Sequence, residues 1–171
     1  MKRNMLFSIL MAVLVLAVCA CGTSQGATPD YDKAVKSITE KMQKELSDGG
    51  VEITAENPLP MYMVSDVTKD DLSLTLVPDL DPAWVDRGTI IQAGVIINAN
   101  LIMLVEAKDA ESAKKVAAEF KKAKASQERT WSTYLPDQYK KVQENITATK
   151  GNLVYYITYE KPAEIEKLIL D

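Results

Sequence analysis

Apolar positions along the chain fall into one unbroken run, several runs at helical spacing and several extended runs, and each kind predicts a different element. The unbroken run, Met5 to Val18, is interrupted only by Ser8 and follows the cationic Lys2-Arg3. It is at the short end for a membrane span, which needs roughly 20 residues, and suits the apolar core of a signal peptide. Helical spacing begins after Pro29. Tyr31, Val35, Ile38, Met42 and Leu46 share one face, with Thr28 as the expected N-cap, Pro29 at the first helical position and Gly49-Gly50 as the stop. Asn57-Pro58-Leu59-Pro60 is a connector, Met61 to Val64 is apolar, and the alternation of Leu72, Leu74 and Leu76 fits a short strand or extended edge.

Thr89 to Ile97 and Leu101 to Ala107 are apolar at consecutive positions, as in strands covered on two faces, and Asn98-Ala99-Asn100 between them reads as a turn. Asp109 caps a long helix with Ala113, Val116, Ala117, Phe120 and Ala123 on its dry side and Lys114, Lys115, Glu119, Lys121 and Lys122 on its wet side. This helix is expected to run through Gln127 to Trp131 and Tyr134. A short helical turn over Asp137–Asn145 follows Pro136. Ile146 to Thr149 and Leu153 to Tyr159 form a second hairpin about Lys150-Gly151-Asn152, and Pro162 opens a last helix with Ile165, Leu168 and Ile169 inward. The expected fold is α+β: an antiparallel sheet built from two hairpins with helices packed against it.

The apolar leader ends in Val18-Cys19-Ala20-Cys21. Cys21 has an aliphatic residue three places before it and a small residue directly before it, the pattern of a lipoprotein cleavage box, whereas Cys19 follows bulky Val18. The expectation is a signal peptide at 1–20, lipidation of Cys21, a flexible tether at 21–27 and a single domain at 28–171. A diacylglyceryl group carries two chains, each methylene contributing about 0.8 kcal/mol on burial, which makes the attachment effectively permanent. The expected location is the extracytoplasmic face of the cell membrane.

Charge and cysteine content narrow the function. Loss of Lys2 and Arg3 with the leader takes the net charge from -4 to -6, which disfavours nucleic acid as a partner. The chain has no histidine and only Cys19 and Cys21 as cysteines, so the domain has neither a histidine base nor a free thiol nucleophile nor a disulfide. No catalytic residue, metal site or cofactor is expected. The remaining chemistry lies in two sets. Asp66, Asp70, Asp71, Asp79, Asp81 and Asp86 could serve a carboxylate-based hydrolase or bind calcium, but such residues first of all make turns. Among the aromatic residues, Tyr62 and Tyr134 stand in Leu59-Pro60-Met61-Tyr62 and Tyr134-Leu135-Pro136, which would form an apolar binding patch if they met in space. The tyrosines of the last strand are expected to be buried on one face and to snorkel on the other.

The ordered set Leu59-Pro60-Met61-Tyr62, Leu101 to Ala107 with Lys108-Asp109-Ala110, the helix through Gln127, Tyr134-Leu135-Pro136-Asp137-Gln138-Tyr139 and Lys150-Gly151-Asn152-Leu153-Val154 resembles domain-of-unknown-function family 4358, found in small lipoproteins of Firmicutes. Members of that family often carry an acidic residue just before the second strand, where this chain has Asn98-Ala99-Asn100. The resemblance implies an extracytoplasmic lipoprotein of a Gram-positive cell and supplies no catalytic residues. The expected function is a non-enzymatic binding or assembly module at the cell envelope, with a protein, peptide or wall polymer as partner. The hydrolase or calcium-dependent protein is the alternative.

Overall fold

The computed structural model describes residues 28–171. The expected signal peptide at 1–20, the expected tether at 21–27 and Cys21 lie outside the described residues. Four α-helices and five strands follow in the order α1 (Tyr31–Asp48), β1 (Tyr62–Asp66), a 3-10 turn at Pro82–Trp84, β2 (Val85–Ala93), β3 (Leu101–Ala107), α2 (Ala110–Trp131), α3 (Pro136–Gln143), β4 (Ile146–Lys150), β5 (Leu153–Thr158) and α4 (Pro162–Leu170). The strands form one antiparallel sheet in the order β1-β2-β3-β5-β4. The two hairpins therefore lie side by side, joined through β3 and β5, and β1 adds a fifth strand at one edge.

Both faces of the sheet are covered, which explains the consecutive apolar positions. Ile90, Met103, Val105, Val154 and Tyr156 pack with Val116, Phe120 and Ala123 of α2. Ile91, Ile102, Leu104, Tyr155 and Ile157 pack with Ile38 and Met42 of α1 and with Ile165 and Ile169 of α4. A smaller cluster of Ala99, Trp131 and Val142 closes the end of the sheet beside α3.

Several expectations are corrected. Asp30 caps α1, its Oδ1 accepting from Lys33 N–H at 3.0 Å. The Thr28 hydroxyl instead accepts from Asn152 N–H at 3.2 Å, so it ties the start of the domain to the β4–β5 turn. Gly151 in that turn has φ +57°, and a Cβ there would come within 2.0 Å of Thr28 Oγ1. The segment Leu72 to Leu76 forms turns instead of a strand: Leu72 is buried, Leu76 is half-buried and Leu74 is 76% exposed. The second strand is shifted towards the N-terminus. It begins at Val85 and ends at Ala93, so Val95, Ile96 and Ile97 leave the sheet and form an exposed bend. The long helix stops at Trp131 and does not reach Tyr134, and Glu119 on its expected wet side is 8% exposed, bonded to Lys122 at 2.8 Å. The tyrosines of the last strand do not snorkel. Tyr155 and Tyr156 on opposite faces, and Tyr159 just beyond, are all buried, with their hydroxyls bonded to protein.

Gly88 lies at a close approach within the sheet. A Cβ on this residue would lie 2.8 Å from Val67 Cγ2 and 3.2 Å from Val105 Cγ2. Both valines are fully buried, so neither has room to retreat. Gly88→Ala is expected to cost about 1–3 kcal/mol through overpacking. A urea melt should show a lower midpoint at unchanged slope, and an unchanged midpoint would refute the close approach.

Candidate functional site

The residues between β2 and β3 are pinned at both ends and exposed at the tip. Gly94 N–H donates to Met61 C=O at 3.0 Å, which fixes the exit from β2. Near the entry to β3, Asn98 Oδ1 accepts from Asn100 N–H at 2.9 Å, Ala99 N–H donates to Gln138 Oε1 at 2.9 Å, and Ala99 C=O accepts from Gln127 Nε2 at 2.9 Å. Asn100 is held further by Lys141 Nζ on its Oδ1 at 3.1 Å and donates from Nδ2 to Tyr62 OH at 3.1 Å. Lys141, though 6% exposed, completes its bonding through Glu160 at 2.7 Å. The tip holds Val95, Ile96 and Ile97, closed by Asn98 N–H donating to Val95 C=O at 3.2 Å, and Ile96 is 85% exposed.

A cavity of about 340 Å³ opens beside that tip. Met63 of β1, Leu76, Gln92 of β2, Val95, Ile96, Asn98, Asn100, and Gln127, Thr130 and Trp131 of α2 line it. The wall is mainly apolar and carries no ionisable side chain. One polar atom in it stands out: Gln92 Oε1 is buried and has no hydrogen-bond partner among the described residues. An unpaired buried acceptor costs about 1–3 kcal/mol, a cost the fold carries close to this wall. Apolar walls with a few placed polar groups are the usual form of a binding site. Acid–base chemistry has no residue to carry it here.

Tyr62 and Tyr134 do not share a site. Tyr62 lines a second cavity of about 340 Å³ with Thr39, Asn57, Pro58, Leu59 and Val64, on the face of the sheet covered by α1. Tyr134 is 52% exposed and lies tilted against Trp131, with ring centroids 5.8 Å apart. Trp131 itself lines the first cavity, so Tyr134 sits behind that site rather than within it.

Asp66, Asp70, Asp71 and Asp81 of the acidic set bond within turns, while Asp86 lies exposed in β2. Asp66 Oδ1 accepts from the N–H and hydroxyl of Thr68, and its Oδ2 takes Lys69 Nζ at 2.6 Å. These bonds, led by that of Lys69, hold the Asp66 carboxyl at about 2. Ser73, by its backbone N–H and then its hydroxyl, holds Asp71 below the usual range, and Asp81 caps the 3-10 turn. A general acid requires the opposite shift. Among the described residues no three or more His, Cys, Asp or Glu are placed to hold a metal ion, and no helix is long and apolar enough to cross a membrane.

A family model described as domain of unknown function DUF4358 matches residues 61–159, more than half of the chain. The chain belongs to the DUF4358 family. No curated protein and no solved structure matches it. The matched DUF4358 stretch begins at β1 and ends just after β5, so it comprises the whole sheet with α2 and α3. Met63, Gln92, the exposed tip and Trp131 all lie inside it, whereas α1 and α4, which cover the opposite face, lie outside it. Sequence reasoning passed over Gln92, although it is the one amide in the apolar run Thr89 to Ile97. No local pattern marks Gln127 or Lys141, which sit among ordinary polar residues of their helices.

Proposed function

We propose that this protein is a membrane-tethered, non-enzymatic binding or assembly module on the outer face of the cell envelope. Lipid on Cys21 anchors it, and its partner is a protein, peptide or wall polymer. The binding half of this reading is carried by one observation: an apolar cavity lined in part by Gln92 is rimmed by the exposed side chains of Met63, Val95 and Ile96. Exposed apolar side chains gathered around a cavity mark interaction surfaces in folded domains. The anchoring half rests on Val18-Cys19-Ala20-Cys21 behind the cationic, apolar leader.

Membranes of cells expressing the full-length chain test both halves together. Wild-type protein should incorporate radiolabelled palmitate, sediment with membranes and retain a partner after cross-linking. Cys21→Ala should be unlabelled. A Met63→Glu, Ile96→Glu double variant should be labelled and membrane-bound yet lose the partner. Equal labelling of wild type and Cys21→Ala removes the anchoring claim. Equal partner recovery by the double variant removes the rim.

A further inference from the structure

The free side of β1 is open over a short window whose limits the backbone defines. Gly94 N–H meets Met61 C=O at 3.0 Å, and Val67 N–H meets Gly88 C=O at 2.9 Å. Since Met63 lies opposite Gln92 and Ser65 opposite Ile90, the odd-numbered residues turn their backbone polar groups to β2. Tyr62, Val64 and Asp66 turn theirs outward. The outward groups at both ends are closed: Tyr62 N–H donates to Leu59 C=O at 2.9 Å, Asp66 N–H donates to Asp70 Oδ2 at 2.7 Å, and Asp66 C=O accepts from Lys69 and Asp70 N–H at 3.1 and 2.9 Å. Tyr62 C=O and both backbone groups of Val64 remain, without a partner among the described residues. Val64 is 51% exposed and Met63 42% exposed. Natural edges are usually blunted by charge, proline or a cover, and here only the two ends are.

The flanks of the window match a strand laid beside it. Met63 faces the α2 side and lines the first cavity, while Tyr62 and Val64 face the α1 side and line the second. Successive side chains of a strand point to opposite faces. A strand added along β1 would therefore present its side chains alternately to one cavity and the other, as in recognition by strand addition. Charge selects the occupant. Val51 to Ser73 holds Glu52, Glu56, Asp66, Asp70 and Asp71 against Lys69 alone, a net charge equal to the -4 of the full chain. Lys69 is moreover engaged by Asp66. A second copy paired through β1 would bring the same acids against these, and like charges facing each other oppose the pairing.

We propose that the open edge of β1 is a strand-addition site for an extended, basic-flanked peptide segment of a partner, with apolar side chains on both faces that enter the two flanking cavities. This deepens the binding-module reading and rests on it. The test uses the full-length chain in detergent and a fluorescent peptide with a valine-leucine centre and two lysines at each end. One control peptide carries glutamates in place of the lysines, and another carries proline at its centre. The basic peptide should bind at least tenfold more tightly than either control and should slow hydrogen exchange of the Val64 amide at least tenfold. Val64→Pro removes an N–H that faces away from β2, so the β1–β2 ladder stays intact. Its affinity for the basic peptide should fall at least tenfold at an unchanged melting temperature. If the variant melts lower, the exchange of the Val64 amide in the wild-type chain decides alone. Equal binding of basic and glutamate peptides, full affinity in a normally melting Val64→Pro, or an unprotected Val64 amide overturns the proposal. Should the peptide fail to bind while membranes still yield a partner dependent on Met63 and Ile96, strand addition falls and the binding-module reading stands.

Discussion

Raising the pH above about 10, where an unperturbed tyrosine ionises, is expected to unfold this domain steeply. Three buried hydroxyls contribute most of the effect, and burial also raises Tyr31. Tyr156 donates to Gln127 Oε1 at 2.7 Å, Tyr155 to Glu166 at 2.8 Å and Tyr159 to Glu45 at 2.5 Å. Burial pushes Tyr156 up to about 12. Burial, reinforced by the carboxylate that each hydroxyl faces, pushes Tyr155 and Tyr159 higher still. The folded state therefore keeps three protons that the unfolded chain gives up. Stability from these groups is complete below the unfolded value near pH 10 and drains away as the pH rises towards the folded values. Each tyrosine contributes a slope of about 1.4 kcal/mol per pH unit, or about 4 for the three together. A domain of ordinary stability, about 5–15 kcal/mol, would exhaust a large part of it within two pH units. Denaturant melts between pH 9 and 12, followed alongside tyrosinate absorbance, provide the measurement. Tyr155→Phe and Tyr159→Phe should each remove about a third of the slope. A slope no steeper than that of one tyrosine would show that these hydroxyls ionise within the folded state.

The same tyrosines show what the sequence could and could not disclose. The run Leu153 to Tyr159 identifies a strand, because β-branched and aromatic residues favour one, and the turn at Lys150-Gly151-Asn152 pairs it with Ile146 to Thr149. Whether its alternate tyrosines meet water depends on what lies over each face, and only the packing of α1 and α4 on one side and α2 on the other answers that. The hairpins and helices were legible for the same local reason. The strand β1 was not: Met61 to Val64 is too short to show a period, and it becomes a strand because β2 offers it an edge. The end of β2 misled in the opposite direction. Val95-Ile96-Ile97 has strong strand propensity, yet Gly94 and the pinning of Asn98, Ala99 and Asn100 turn the chain out of the sheet. The candidate site arises at that point of disagreement. A propensity overridden by tertiary bonds leaves apolar residues in water beside a cavity. Tyr62 and Tyr134 were reasonable as exposed aromatics, but their separation across two surfaces is set by the sheet and not by either motif.

Removing Gln127 should have the largest effect of any single polar substitution considered. Its side chain is 4% exposed and joins α2, the β2–β3 connection and β5. Nε2 donates to Ala99 C=O at 2.9 Å, while Oε1 accepts from Tyr156 OH at 2.7 Å and from Thr158 Oγ1 at 2.9 Å. Gln127→Leu keeps much of the volume and leaves three buried polar groups without this partner. Each would cost about 1–3 kcal/mol if left unpaired. Thr158 Oγ1 keeps the bond from Asn145 Nδ2 at 3.2 Å, and the two hydroxyls, already 3.4 Å apart, recover part of the rest by bonding to one another, so the expected loss is about 2–4 kcal/mol rather than the full sum. Gln127→Glu separates donor from acceptor. It keeps an acceptor for both hydroxyls, loses the donor to Ala99 and places a carboxylate in a buried site, so it should be no better tolerated than leucine. The connection tells a local role from a general one. With Ala99 released, amide exchange over Gly94 to Asn100 should accelerate even under conditions where both variants remain folded, while exchange in β4 and α4 stays near that of the wild type. If exchange rose evenly across the domain, Gln127 would be a stability residue alone. If it rose only around the tip, the same amide that fastens α2 to β5 also sets how firmly the apolar rim of the cavity is held.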